Sequence, residues 1–298
     1  MNVQFSPAYV GAAHAFDTTR KAGWVADALS GAPLPGVVLV EPAPLTWEQI
    51  ERVHDPEYVE AVRTGRPRAL AESQGFAWDR GLGPMVLASN GGVVAAARDA
   101  LSRGGAAAAG SLSSGLHHAR HDHGEGYCTF NGLALAALDV LDAGAAGSVL
   151  ILDFDAHCGG GTASLLGDEP RVEQLDVAVN SFDHYRGDGA FRLHVVRRAA
   201  DYLPTLEREL DALARSGRRH DLCLYNAGMD PFEGCATGGL SGITAEILCA
   251  RERMVFAWCR SRSLPVAFVL AGGYIGPGTS VDDLVALHRT TIEEAART

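Results

Sequence analysis

A short apolar run that ends in clustered polar residues is the feature that most limits how this chain can fold. Val149 to Leu152 contains only β-branched or aliphatic residues, which is typical of a strand buried on both faces. The run passes directly into Asp153, and Asp155 and His157 follow at two-residue spacing. Because side chains at positions i and i+2 of an extended backbone point the same way, Asp155 and His157 can reach one metal ion. A catalytic site would then need a third ligand from elsewhere in the chain.

Two further apolar runs also end in polar residues flanked by glycine. Asp221 to Tyr225 leads to Asp230, and Pro265 to Leu270 leads through two glycines to Tyr274. Helical periodicity separates these runs, as expected for crossover helices. Parallel α/β sheets bind ligands at the carboxyl ends of their strands, so we expect these side chains to converge. The sequence therefore predicts an open three-layer α/β fold with a mostly parallel sheet, helices on both faces, and Asp230 as the third metal ligand.

A fourth segment contains two adjacent histidines, His117 and His118, followed by Gly126 and Tyr127. Adjacent side chains point in different directions in most backbones, so the two rings are poorly suited to chelating one ion together. Histidine is the side chain best matched to moving protons near neutral pH. The pair therefore indicates two separate proton-handling or orienting roles.

Five motifs together resemble the zinc-dependent histone deacetylase superfamily, which includes bacterial acetylpolyamine amidohydrolases and acetoin-utilisation-type proteins. In chain order they are Gly-x-His-His-Ala, Gly-Tyr-Cys-x-Phe-Asn, Asp-x-Asp-x-His-x-Gly, Ala-Gly-Met-Asp-Pro and Gly-Gly-Tyr. The likeness extends over roughly residues 45 to 290. It implies an arginase/deacetylase-like fold and one deacetylase-like catalytic domain over residues 1–298.

The resemblance also implies a role for each motif residue. One catalytic zinc ion would activate water and polarise the substrate amide, and its three ligands would be Asp155, His157 and Asp230. His117 and His118 would transfer protons, and Tyr274 would hydrogen bond to the oxyanion. Gly126 and Gly273 would approach the substrate through their backbones, and Tyr127 would form one wall of the acyl tunnel.

A second, monovalent cation is implied by the same resemblance. Asp153 would orient His117 and border a K⁺ or Na⁺ site, whose residues would be Asp153, Asp155, His157 and Ser181.

Two positions depart from the family pattern. Cys158 stands where many relatives have a second histidine; an extra metal ligand and a redox-sensitive thiol are the alternatives, and we favour a small apolar filler. Gly160 stands where relatives have an Asp or Asn that supports the second tandem histidine. We therefore expect His118 to lack a carboxylate partner and to be less readily protonated than in relatives with Asp at that position.

Two other functions were weighed against deacylation. A binuclear manganese hydrolase of the arginase kind needs further acids two residues after His157 and two after Asp230, where this chain has Gly159 and Phe232. A catalytically silent module that binds acylated ligands would share the fold, but this chain keeps every residue that catalysis requires. The main prediction is a deacylase acting on acyl-lysine, an acetylpolyamine or a related acylated amine.

Composition fits a globular enzyme. The 298 residues are 47% hydrophobic and 20% charged, with no apolar run near 18 residues and no basic, apolar leader at the amino terminus. We therefore expect a cytoplasmic protein without membrane contact. A net charge of −11 argues against nucleic-acid binding, which requires basic surface. Compared with larger relatives of this family, the loops around the expected site are short, which predicts an open mouth unless another subunit of a homo-oligomer covers it.

Overall fold

Eight parallel strands form one central sheet in the computed structural model, which describes residues 1–12 and 16–297. The strand order is β2-β1-β3-β8-β7-β4-β5-β6, and each of the seven neighbouring pairs is parallel. The strands are β1 (Asn2–Gln4), β2 (Val38–Val40), β3 (Ala108–Ser111), β4 (Val149–Asp153), β5 (Val172–Ala178), β6 (Phe191–Val195), β7 (Leu222–Gly228) and β8 (Val266–Ala271).

Helices cover both faces of this sheet, which confirms the predicted three-layer α/β fold. In the described ranges they are α1 (Asp17–Gly31), α2 (Trp47–Ile50), α3 (Pro56–Thr64), α4 (Arg68–Ala71), α5 (Leu82–Arg103), α6 (Gly132–Asp142), α7 (Gly160–Leu166), α8 (Tyr202–Arg215), α9 (Ala245–Ser261) and α10 (Val281–Ala296). Within those ranges, none combines the length and the apolar character that crossing a bilayer requires.

Strand β4 shows how the two layers of core arise. Leu150 and Leu152 pack into one buried cluster with α1, α8, α9 and α10. Val149 and Ile151 point the other way, into a second cluster with α2, α3, α5 and α6. Alternate side chains of one strand thus enter opposite cores, which is why the run contains no polar residue before Asp153.

The parallel register brings polar residues to one edge of the sheet. Asp153, at the end of β4, pairs with Asn226 of β7 on one side and with Asp176 of β5 on the other. The segments that leave β3, β4, β5, β7 and β8 all begin at this edge. The predicted site residues lie in these segments, as expected for a parallel α/β sheet.

Candidate active site

Asp155, His157 and Asp230 form a compact buried group at the carboxyl edge of the sheet. Asp155 and His157 follow β4, whereas Asp230 follows the neighbouring strand β7. One ligand atom from each residue lies within 4.8 Å of the other two. His157 Nδ1 is 3.1 Å from Asp155 Oδ1 and 3.2 Å from Asp230 Oδ2. The structure therefore brings together the three residues that the sequence predicted as metal ligands.

The chemistry of this group suits a divalent cation. Two carboxylates and one imidazole supply the oxygen and nitrogen donors that zinc accepts. Among the described residues, no donor is aligned to hydrogen bond to the buried Oδ2 of Asp230. Burial lowers the pKa of His157, but Asp155 and Asp230 outweigh it and raise the value to about 10. The group thus attracts positive charge, and a bound metal ion would displace a proton from it.

His117 is held by a carboxylate that does not belong to the ligand group. Its Nδ1 lies 2.7 Å from Asp153 Oδ2, and Asn226 Nδ2 donates a 2.8 Å hydrogen bond to Asp153 Oδ1. His117 Nε2 is 3.6 Å from Asp155 Oδ1, on the side of the ligand group. Burial lowers the pKa of His117, but Asp153 and then Asp155 raise it to about 10. This surrounding negative charge favours the imidazolium form.

The expectation that His118 lacks a carboxylate partner is wrong. Its Nδ1 lies 2.9 Å from Oδ2 of Asp183, in the loop between β5 and β6. Burial, followed by the positive charge of His117, lowers the pKa of His118 to about 4 despite this contact. His118 is therefore neutral near pH 7, but the cause is desolvation rather than the loss of a partner. The sequence around Asp183 contains no motif that points to this contact.

Asn131 explains the Phe-Asn-Gly part of the second motif. Its Oδ1 accepts a 2.9 Å hydrogen bond from Ala134 and so caps α6. Its Nδ2 donates to the carbonyls of His117 and Ala119 at 3.3 and 3.2 Å. One buried side chain thus fixes both the start of a helix and the backbone of the tandem histidines.

Helix α1 holds the loop that contains Tyr274. Lys21 Nζ donates a 2.6 Å hydrogen bond to the carbonyl of Gly272, and Asp17 Oδ2 accepts one of 2.6 Å from the amide of Ile275. Burial lowers the pKa of Lys21 to about 8, against the attraction of Asp230 and Asp155. Tyr274 is itself buried, which raises its pKa well above the usual value. The sequence analysis did not identify Asp17 or Lys21, because neither lies near a motif.

Two aromatic side chains stand at the mouth of the site. Tyr127 and Phe182 are 40% and 43% exposed, and both border the cavity that His118, His157 and Tyr274 line. The ring centroid of Phe182 is 5.0 Å from that of His118. Gly126 has a φ of +54°, and a Cβ there would run into the ring of His118. The backbone at Gly126 therefore lies close to His118 at the wall of the cavity.

The sequence matches the histone deacetylase domain family over residues 14–289. This chain belongs to the histone deacetylase family. It is 33% identical over 252 residues to an uncharacterized protein of Picosynechococcus sp., a match covering 83% of this chain and 81% of that protein. It is 31% identical over 192 residues to Histone deacetylase 2 of Arabidopsis thaliana, covering 62% of this chain and 48% of that protein.

A solved structure shows the same fold at low sequence identity. The HDA15 HD domain superposes with a TM-score of 0.81 and 20% identity, covering 99% of this chain and 90% of that one. The eight-stranded sheet with helices on both faces is thus the fold of histone deacetylase domains, as the sequence predicted.

Two further predictions for this histone deacetylase domain concern Ser181 and Gly273. Ser181 is exposed, whereas Asp153, Asp155 and His157 are buried, and its part in a K⁺ or Na⁺ site stays a prediction. Gly273 has a φ of +87°, and its open side faces Leu284 and His288 of α10 rather than the cavity. Gly272 lines the cavity in its place.

Cys158, the other departure from the family pattern, is fully buried beside His157. Its Sγ lies 3.4 Å from the carbonyl of Asn180, and burial raises its pKa. A buried thiol of this kind packs as a small apolar side chain, in agreement with the interpretation of Cys158 as a filler.

Proposed function

We propose that this chain is a zinc-dependent amidohydrolase that removes an acyl group from an amine, such as acyl-lysine, an acetylpolyamine or a related acylated amine. One observation carries the proposal: in a histone deacetylase family member, Asp155 and His157 of the buried group that also contains Asp230 line the same cavity as the tandem histidines and Tyr274. In this proposal residues 1–298 form a single catalytic domain.

The three ligands would hold zinc, which supplies Lewis-acid polarisation of the amide and activation of water. His118 is the general base, because it is neutral and Asp183 engages its Nδ1, which leaves Nε2 to take a proton. His117 is the cationic partner, because Asp153 holds its Nδ1 and Asp155 lies near its Nε2. Its charge stabilises negative charge that develops on the substrate, and its proton is available to the leaving amine.

Tyr274 would complete the polar side of the site. Its phenol is fully protonated near neutral pH and sits in a buried position, where a hydrogen bond to the substrate oxygen is strong. Such a donor acts most strongly as the carbonyl oxygen gains charge.

The substrate would enter between Tyr127 and Phe182. Two exposed aromatic walls suit the slender apolar stem that joins an acylated nitrogen to the rest of an amine. The net charge of −11 is compatible with a cationic substrate.

The two alternatives have less support. An arginase-like pair of metal ions needs carboxylates where Gly159 and Phe232 stand, and the described residues offer only the one three-residue group. A silent acyl-binding module would need neither a general base nor Tyr274.

The test is turnover of a fluorogenic acetyl-lysine peptide and of acetylpolyamines by protein loaded with zinc, beside a chelated sample. We expect activity only with metal, and Asp230→Asn to lose bound zinc and roughly a hundredfold or more of kcat/KM. Asp211→Asn, an exposed acid on α8, is the matched control. Zinc binding without turnover of any acylated amine would favour the silent module, and two manganese ions per chain would favour the arginase reading.

A further inference from the structure

One buried carboxylate at the site comes from outside the motifs. Asp183 lies in a loop whose neighbours Ser181, Phe182 and His184 are exposed, yet its own side chain has no exposed surface. Its φ is +58°, in the left-handed region that few residues other than glycine adopt. A side chain turned inward from such a loop, at a cost in backbone strain, is held there by its contacts.

Those contacts use both carboxylate oxygens. Oδ2 is 2.9 Å from His118 Nδ1 and accepts a 3.0 Å hydrogen bond from the amide of Gly161. Oδ1 forms an ion pair with the guanidinium of Arg120, which also contacts Glu125 at 3.1 Å. Arg120 thus balances the buried charge of the Asp183 carboxylate. Since a carboxylate only accepts, the proton of neutral His118 lies on Nδ1, and Nε2 is left as the basic nitrogen.

Gly160 makes room for this arrangement. A Cβ added at Gly160 would overlap the side chain of Asp183, whose Cγ would lie only 2.7 Å away, and also the backbone carbonyl oxygen of Asp183. The space that a side chain at position 160 would fill is therefore occupied by Asp183, through its carboxylate and its backbone. While the loop holds Asp183 in this position, residue 160 has no room for a side chain.

We propose that Asp183 is the positioning residue of His118, and that it does from the β5–β6 loop what a carboxylate at position 160 would do. The inference rests on the proposed function in so far as His118 is the general base. It predicts that the ring orientation and the tautomer of His118 depend on a carboxylate at position 183 or 160, whichever of the two segments supplies it.

The first test removes the carboxylate. Asp183→Ala should lower kcat by 10- to 100-fold with KM changed less than twofold, because the substrate does not contact Asp183. Asp183→Asn should fall between Ala and wild type, since its amide oxygen still accepts from Nδ1–H. Asp188→Asn, which removes an exposed charge from the same loop, is the matched control. An Asp183→Ala protein with kcat within twofold of wild type would overturn the proposal.

The second test moves the carboxylate. Gly160→Asp alone should impair the enzyme, because the new side chain collides with Asp183. Gly160→Asp combined with Asp183→Gly removes the overlap with the carboxylate, and the carbonyl of residue 183 must still move aside, which glycine at this left-handed position makes easier. The double variant should recover at least tenfold over Asp183→Gly. A folded double variant no more active than Asp183→Gly would overturn the equivalence of the two positions. Because the double variant restores the buried anion beside Arg120, it also covers the case in which Asp183→Ala does not fold.

A third measurement separates this inference from the proposed function. In metal-free protein labelled with ¹⁵N-histidine, the His118 ring should appear as the Nδ1–H tautomer, and Asp183→Ala should shift it toward a mixture of tautomers. If wild type turned over no acylated amine, the proposed function would fail while this readout still tested Asp183. An unchanged His118 tautomer in Asp183→Ala would overturn the inference even in an active enzyme.

Discussion

Three residues around the site adopt backbone conformations that side chains rarely take. Leu116, Tyr127 and Asp183 have φ values of +56°, +65° and +58°, and in the described ranges only Ser263 shares this property among residues other than glycine. Such strain costs roughly 1 kcal/mol or more for each residue and persists where surrounding contacts impose it. Leu116 precedes the tandem histidines, and Tyr127 and Asp183 flank His118. The tandem histidines are therefore held in place by the strained backbone around them.

Tyr274 provides a test at the level of one atom. Tyr274→Phe should lower kcat by about 100-fold or more while KM changes little, because the lost hydrogen bond strengthens only as charge develops on the substrate oxygen. Steady-state kinetics on the acetyl-lysine peptide measure both constants. A thermal midpoint equal to that of wild type would show that the fold is intact, and a kcat within threefold of wild type would contradict the role of the phenol.

Site residues can be predicted from the sequence when they lie at a characteristic spacing from one another or from an apolar strand. Asp155 and His157 were predicted because they lie two residues apart after an apolar strand, and Asp230 because it follows a second one. Asp183, Asp17 and Lys21 were not, because their contacts depend on how distant segments pack. The prediction that His118 lacks a carboxylate partner was wrong for this reason. It rested on Gly160 alone, whereas Asp183 of the β5–β6 loop fills the same space.

At the scale of elements, a buried arginine of α9 connects the two strands that the proposed metal ligands follow. Arg251 is fully buried, and its Nη1 donates to the carbonyl of Phe154 at 3.1 Å and to that of Gly228 at 2.6 Å. These residues precede the proposed ligands Asp155 and Asp230 by one and two positions. Glu252 pairs with the same guanidinium at 2.6 Å. Arg251 thus fixes the distance between the carboxyl ends of β4 and β7.

Replacing this arginine should be costly. Arg251→Met leaves Glu252 buried without its cation and frees two carbonyls, so the free energy of unfolding should fall by about 3–5 kcal/mol. Arg215→Met on α8 is the control, because Arg215 and its partner Asp211 are 70% and 63% exposed; its loss should cost less than about 1 kcal/mol. Urea titrations measure both. Equal losses in the two variants would contradict the structural role of Arg251.

The elements themselves were predicted unevenly. Strand β4 matches its sequence signal, since an uninterrupted apolar run marks it. Strand β3 did not stand out, because Ala108–Ser111 is Ala-Ala-Gly-Ser and contains no β-branched residue. Its small side chains are needed in the structure, where the open side of Gly110 faces the ring of Phe268. Helix α1 was also missed, although it anchors the Tyr274 loop.

At the scale of the whole molecule, one buried histidine links stability to pH. His54 connects α2 and α3 to the tandem-histidine segment: its Nδ1 lies 2.7 Å from the carbonyl of Arg120, and Asn131 donates its amide to Nε2 at 3.0 Å. Burial lowers the pKa of His54 from 6.5 to about 4. The native state therefore requires the neutral ring with its proton on Nδ1.

The sign of the pH effect follows from that shift. Between pH 6.5 and 4 the unfolded chain binds a proton at His54 that the native protein does not, so stability falls as pH falls. This group alone should remove about 2 kcal/mol between pH 7 and pH 5. Urea titrations across this range should show a steeper loss for wild type than for His54→Gln. Parallel pH profiles for the two proteins would contradict the assignment.

Because all eight strands run in one direction, the segments at their amino ends and those at their carboxyl ends have different roles. Segments that enter strands, such as Gly104–Ala107 and Ala143–Ser148, need only reverse the chain, so selection can lengthen or exchange them freely. Segments that leave strands contain the charged and aromatic residues of the site, and these segments are neighbours at one edge of the sheet. We therefore expect changes in substrate specificity to arise in the segments that leave the strands, whereas changes in the segments that enter them should be neutral.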